Sequence, residues 1–336
     1  MNARRAGVLL LAFALSLSAP AYAAQRRGSV AFHYGGAMTP AQLAWCGRFD
    51  FVVTHDPLPP AQVKALHRQG ARLVLYEWAV AFYASLAKPG SWEASLLTRR
   101  RGLLNDRPLR GGSGATDADA FYYDPATREH AVERPAAIAA RLRAIDYDGV
   151  FLDTTTAESV HPAALATFQQ RHAEGYDAAF AEFLRNLRRE LDKDKRGVII
   201  TNQGYRAADD VLPFVDADVS ESLITLHGNF RPWNDRNDRW NSIDYLMRHL
   251  IAPVQKRYPR VRFVHLNYVA TIEDAERVLA IARLYDMDAF AALPSITPIL
   301  IDDYFRDFGK PLTPIHREKE IAWRRFEHGT VKIRTK

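Results

Sequence analysis

The chain alternates short apolar runs with longer stretches in which apolar residues recur every three or four positions. Eight runs rich in Val, Ile and Phe read as strands, at 30–33, 51–54, 72–78, 149–153, 198–202, 218–221, 262–267 and 289–293. Helical spacing fills the intervals, at 60–69, 135–145, 161–191, 243–258 and 272–285; Ile138, Leu142 and Ile145 share one such face. Gly70 stands where a helix would stop. Strand and helix in regular alternation predict a parallel sheet, and eight repeats predict a single-domain (β/α)8 barrel of the TIM type over residues 24–315. A doubly wound open sheet is the runner-up. It wants a glycine-rich phosphate turn after the first strand, and His33-Tyr34-Gly35-Gly36 continues as Ala37-Met38-Thr39 instead. The longest interval without periodicity, 89–134, predicts an irregular loop over one face.

Barrels of this kind carry chemistry at the C-terminal ends of their strands. The ends here are His33-Tyr34, Thr54-His55-Asp56, Tyr76-Glu77-Trp78, Asp153, Asn202-Gln203, Glu221, Asn267-Tyr268 and Pro294-Ser295. Seven of the eight offer polar or aromatic groups that are costly to bury unpaired, so a polar cleft is predicted there. Asp153 and Glu221 lie on alternate strands, at similar height, and suit acid–base or nucleophilic work on a glycosidic bond. Strand spacing alone allows carboxyl separations of about 5 Å or about 7–9 Å, so it fixes no stereochemical outcome. Tyr34, Trp78, Tyr123, Tyr205, Trp233 and Tyr268 are candidate stacking platforms for sugar rings, and His33, His55, Asp56, Glu77, Asn202, Gln203 and Asn267 are candidate polar contacts. A metal corner built from His33, His55 and Asp56 lacks any HxH or HxxxH spacing. No metal and no cofactor is expected.

The first residues change the picture of location. Arg4 and Arg5 precede the apolar run Val8 to Ala19, and Ala21-Tyr22-Ala23 follows with small-x-small spacing. That is the pattern of a cleaved signal peptide over residues 1–23, and it predicts export to the periplasm or beyond. No later segment is long and apolar enough to span a membrane. Cys46 is alone, so packing rather than disulfides must hold the fold. The formal charge of +6 is uneven: residues 316–336 hold seven Lys or Arg against three Glu, and the body is near neutral. This segment is predicted to be a solvated basic tail. No nucleic-acid partner is implied, and a monomer acting on a polysaccharide is expected.

The stretch Asp146-Tyr147-Asp148-Gly149-Val150-Phe151-Leu152-Asp153 resembles the Gly-(Phe/Tyr)-Asp-Gly-Val-Phe-Leu-Asp signature of glycoside hydrolase family 114. Those are secreted endo-α-1,4-polygalactosaminidases and relatives, among them the hydrolase domain of PelA-type exopolysaccharide proteins. The resemblance implies that Asp153 is catalytic. Val219-Ser220-Glu221-Ser222-Leu223 resembles the family's strand-six segment and implies Glu221 as the second carboxylate. Asn202-Gln203-Gly204 and Asn267-Tyr268 are similar to polar turns of strands five and seven. By resemblance Asp153 is the nucleophile or base-like carboxylate, Glu221 the proton donor, and a galactosamine-type exopolysaccharide the substrate. Two positions depart from the family pattern. The third strand runs Tyr76-Glu77-Trp78-Ala79-Val80 where Tyr-x-Ser-x-Gly-Glu is frequent, and Asn267 replaces a usual Asp. These departures motivate a second expectation, a non-catalytic polysaccharide-binding protein on the same barrel.

Overall fold

The computed structural model describes residues 27–110, 119–193, 197–235, 237–293 and 298–335. The leader-like segment, the stretch 111–118 and Pro294-Ser295 lie outside them. Eight strands, β1 (Gly28–His33), β2 (Phe49–Thr54), β3 (Arg72–Trp78), β4 (Gly149–Asp153), β5 (Val198–Asn202), β6 (Ala217–Glu221), β7 (Arg262–Tyr268) and β8 (Asp288–Ala292), form one parallel sheet in that spatial order. β8 returns to β1 by packing, with the rings of Phe32 and Phe290 5.4 Å apart. Helices follow the strands, including α1 (Pro40–Cys46), α2 (Pro60–Arg68), α3 (Arg134–Ala144), α4 (Tyr176–Asp192) and α5 (Ile272–Leu284). The architecture is the predicted (β/α)8 barrel.

Strand alternation sends every second side chain inward, and three tiers fill the barrel. At the bottom Phe51 meets the guanidinium groups of Arg72 and Arg262 at 4.3 and 5.4 Å. In the middle Phe32, Phe151 and Phe290 pack ring to ring, all essentially inaccessible to solvent. The top tier is polar. Burying one such Phe is worth roughly 1.5–3 kcal/mol, and the same aromatic tier is a dry floor beneath whatever stands above it.

The Asp146–Gly149 turn is built for closeness. A Cβ on Gly149 would fall 2.1 Å from the Val198 carbonyl oxygen, so β4 and β5 approach this tightly only with glycine there. The Tyr147 hydroxyl meets Thr54 Oγ1 and accepts from the Leu58 amide, while Asp148 Oδ2 accepts from the Leu73 amide and lies 2.9 Å from His67 Nε2. Most of the motif over residues 146–153 therefore fastens β4 to its neighbours. Cys46 is buried on α1, and burial pushes its thiol up to about 12, an inert filler.

Three expectations need correction. The interval 89–134 is not irregular: it holds a helix, Trp92–Arg99, and a strand, Ala120–Tyr122, paired antiparallel with Ala81–Tyr83. Phe82, Leu96, Leu103, Phe121 and Tyr123 give it a small core of its own. The single helix expected over 161–191 is two, Pro162–Arg171 and α4, because Gly175 caps the second. Residues 316–335 are no tail. They form an antiparallel sheet of β9 (His316–Glu318), β10 (Ile321–Phe326) and β11 (Gly329–Arg334). Ala322, Phe326, Val331 and Ile333 join the main core while Arg325, Lys332 and Arg334 stay exposed. The count of basic residues obscured this period-two alternation.

On the outer side of the sheet, Asp218 is fully buried and accepts from Thr201 Oγ1 and from the amides of Gly204 and Tyr205. A Cβ on Gly204 would sit 2.8 Å from its Oδ1, so glycine lets the turn close on the carboxyl. Burial pushes Asp218 up to about 7 against the pull of these three donors. The folded protein then holds a proton that the unfolded chain, with a carboxyl near 3.9, has released. That contribution to stability is complete below the unfolded value and is lost as pH rises through about 7. Thermal melts of wild type should lose ground to Asp218→Asn between pH 4 and 8. Parallel pH curves for the two proteins would contradict this.

Candidate active site

The top tier gathers one inward side chain from nearly every strand end. Tyr34 follows β1, His55 follows β2, Tyr76 and Trp78 come from β3, Asp153 ends β4, Asn202 ends β5, Glu221 ends β6 and Tyr268 ends β7. Asn202 joins the two carboxylates: its Nδ2 donates to Asp153 Oδ1 at 2.7 Å and to Glu221 Oε2 at 2.9 Å. Two bonds laid end to end set the limit, so these two oxygens lie within about 5.6 Å of each other. The Tyr76 hydroxyl donates to Asp153 Oδ2 at 2.5 Å, the Thr154 amide donates to Asp153 Oδ1 at 2.9 Å, and the Tyr268 hydroxyl donates to Glu221 Oε1 at 2.7 Å.

Electrostatics follow from this packing. Burial over the aromatic floor raises the Asp153 pKa; the donors Tyr76, Asn202 and Thr154 pull it down and the charge of Glu221 raises it further. Tyr34, Tyr76 and Tyr268 are all held far above the usual phenol range, first by burial and then by the two acids. They stay protonated, and Tyr76 and Tyr268 serve as donors to the two acids. Tyr34, His55, Tyr76 and Trp78 form an aromatic wall, with successive ring centroids 5.8, 4.7 and 5.7 Å apart.

Backbone geometry marks the same place. Thr154, Gln203 and Ser222, the residues directly after Asp153, Asn202 and Glu221, all adopt left-handed conformations, at φ 57, 62 and 58°. A non-glycine residue there costs on the order of 1–2 kcal/mol. Three successive strand ends strained alike turn the chain sharply and leave their last side chains projecting into the mouth.

Six of the expected lining residues are placed elsewhere, three of them by strand parity. His33 is one residue off the inward Tyr34, and its Nε2 lies 3.0 Å from the Gly36 carbonyl oxygen. His33 and His55 therefore do not converge. Glu77, between Tyr76 and Trp78, faces the helix layer and pairs with Arg141 of α3. Asn267 also faces outward, and its Oδ1 accepts from the amides of Ile224 and Thr225, which fixes the turn after Glu221. Tyr123 is buried in the small core under Arg134. Tyr205 is buried in the main core, and its amide donates to Asp218. Trp233 packs against Tyr285 and Arg317, both outside the mouth. Gln203 supplies a strained turn, and Asp56 is exposed past β2. Tyr76 was absent from the expected lining and touches Asp153 directly. Counting alternate positions back from Trp78 would have found it.

No protein-family model matches the chain, and no curated protein matches it. Its fold is similar to a solved structure, the glycoside hydrolase domain of PelA from Pseudomonas aeruginosa. That likeness has a TM-score of 0.58 at 22% identity, over 81% of this chain and 97% of that one. A variant of the same domain matches with a TM-score of 0.53 over the same shares. At this identity the likeness is one of fold.

The Tyr76 contact gives a test of the electrostatics. Its hydrogen bond lowers the Asp153 pKa, so Tyr76→Phe should raise it. Carbon-13 titration of the carboxyl would show the midpoint moving to higher pH. An unmoved or lowered midpoint would contradict the geometry.

Proposed function

We propose that the protein is a glycoside hydrolase of the retaining type that cuts a polysaccharide internally. The observation that carries this is the carboxylate pair bridged by Asn202, whose nearest oxygens lie within about 5.6 Å. Retaining enzymes hold their carboxyls about 5–5.5 Å apart, whereas inverting ones leave about 6.5–9.5 Å for a water. Asp153, pinned by three donors, is suited to remain an acceptor with its charge aimed at an anomeric carbon. Glu221, held by two, is the proton donor.

The chemistry balances in two steps. Asp153 attacks the anomeric carbon while Glu221 gives its proton to the departing glycosidic oxygen. A glycosyl ester on Asp153 results. Water then attacks the same carbon, Glu221 takes a proton from it, and the Asp153 carboxylate leaves. Asn202 and Tyr268 hold Glu221 through both roles, and the wall of Tyr34, His55, Tyr76 and Trp78 offers faces on which sugar rings stack.

A galactosamine- or N-acetylgalactosamine-type exopolysaccharide is the substrate we assign. It rests on the resemblance around Asp153 and Glu221. Asn267, which stands where the family usually has Asp, faces away from the cleft and fixes the turn after Glu221, so that departure leaves the carboxylate pair intact; Trp78, at the Ser position of the family pattern, joins the cleft wall. The leader pattern in residues 1–23 supports export. Release of reducing ends from acetylated and deacetylated galactosamine polymers, with dextran as control, tests the reading. Asp153→Asn and Glu221→Gln should each lower the rate by a factor on the order of 10²–10⁴ or more. Unchanged rates in both variants would remove the pair from the chemistry, and binding without release by wild type would favour the binding protein.

A further inference from the structure

The C-terminal sheet has a face that the barrel does not use. β9, β10 and β11 pack on the outside of the barrel, where Arg324 Nη1 donates to the Leu284 carbonyl at the end of α5 and Arg317 Nη2 stands 2.6 Å from Asp244 Oδ1. Ala322, Phe326, Val331 and Ile333 belong to the main core. Period two sends the alternate positions to the other side, and the register sets them in rows. Glu318, Ile321 and Arg334 lie side by side, then His316, Trp323 and Lys332, then Arg325 and Thr330. Trp323 is partly exposed and stacks on His316, with ring centroids 4.2 Å apart and planes 17° from parallel. Lys332 lies across the ladder from it, Arg325 two residues along its own strand and Arg334 on the diagonal.

Arg325, Lys332 and Arg334 are exposed, and among the described residues no carboxylate pairs with any of them. Arg27, Arg188, Arg262 and Arg283, elsewhere in the chain, each hold an Asp. Adjacent strands lie about 4.8 Å apart, and residues two apart on a strand about 6.8 Å. The three cations therefore surround one ring pair within about a screening length of roughly 8 Å, and their fields add. Glu318, at the corner opposite Arg325 and Lys332, is the one acid in these rows. A flat face of this kind fits an extended partner, and its chemistry narrows the class. The cations call for closely repeated negative charge and the rings for an apolar ring face. An acidic polysaccharide carries both in one unit, a carboxylate and a pyranose. An anionic bilayer is served by an aromatic group that projects as an anchor, whereas Trp323 lies flat on His316. Duplex nucleic acid is commonly held through about 6–10 phosphate contacts, more than three cations supply. A galactosamine polymer is itself cationic and is repelled here, so the face is no extension of the cleft.

We propose that the outer face of β9, β10 and β11 is a docking surface for an acidic polysaccharide, with Arg325, Lys332 and Arg334 on its carboxylates and Trp323 against its sugar rings. It stands whether or not the cleft hydrolyses. The test is calorimetric titration of the full-length protein with polygalacturonate, and separately with dextran, a DNA duplex and phosphatidylglycerol vesicles. Wild type should bind polygalacturonate at low salt, lose it as salt rises, and leave dextran unbound. Arg325→Glu with Lys332→Glu should weaken that binding by roughly tenfold or more while the melting curve stays cooperative. Trp323→Thr keeps every charge and a strand-forming residue, and it should weaken binding by about threefold or more. Lys64→Glu with Arg68→Glu makes the same change of net charge on the exposed side of α2 and should leave the isotherm as it is. No binding of polygalacturonate by wild type would overturn the proposal, as would equal losses in the two charge-reversed proteins, which would make the attraction one of net charge. Binding indifferent to Trp323→Thr would overturn the sugar contact. Tighter binding of the duplex or the vesicles than of polygalacturonate, lost in Arg325→Glu with Lys332→Glu, would give the face to that partner instead and overturn the proposal.

Discussion

One amide nitrogen holds the two acids of this barrel together. Two carboxylates about 5 Å apart repel by about 3 kcal/mol at an effective dielectric near 20, and a dry floor of phenylalanines makes each charge costlier still. Asn202 answers both problems with one hydrogen directed at Asp153 and one at Glu221. Without it the pair would part or share a proton, and the spacing that suits covalent catalysis would go. Tyr76 and Tyr268 steady the far oxygens in the same way.

Everything below and around serves that arrangement. The aromatic middle tier excludes water from beneath Asp153, which is why burial is the leading cause of its raised pKa. Gly149 lets β4 lie against β5 closely enough for Asn202 to reach Asp153. The strained residues Thr154, Gln203 and Ser222 break the strands at one level, so the three central side chains share a plane of action. Asp218 and Asn267, on the outer face, tie down the turns that follow β5 and β6. Fold and site are thus one network seen from its two sides.

Much of this was legible in the chain. Strand order, the barrel and the place of Asp153 and Glu221 at alternate strand ends follow from apolar runs that alternate with helical spacing, because such runs are local properties of sequence; the role of the two acids came from the family resemblance. What was lost was parity. Glu77 and His33 look as eligible as Tyr76 and Tyr34 until one fixes which alternate positions face inward, and a strand end of three polar residues does not announce it. Trp233 and Tyr123 were misplaced for another reason: an aromatic in a loop carries no sign of which surface it will pack against. The left-handed turns sit on Thr, Gln and Ser, so no glycine advertised them. In the C-terminal sheet, Arg and Lys on one face hid the Ala, Phe, Val and Ile on the other.

The most direct measurement of the central claim is the anomeric configuration of the first product. Proton NMR on a galactosamine oligomer, recorded before mutarotation, would read it. With Asn202 holding the acids within about 5.6 Å, the account predicts that the new reducing end first appears with the configuration of the bond that was cut. A first product of inverted configuration would contradict it, because the pair would then have to stand far enough apart to admit water directly.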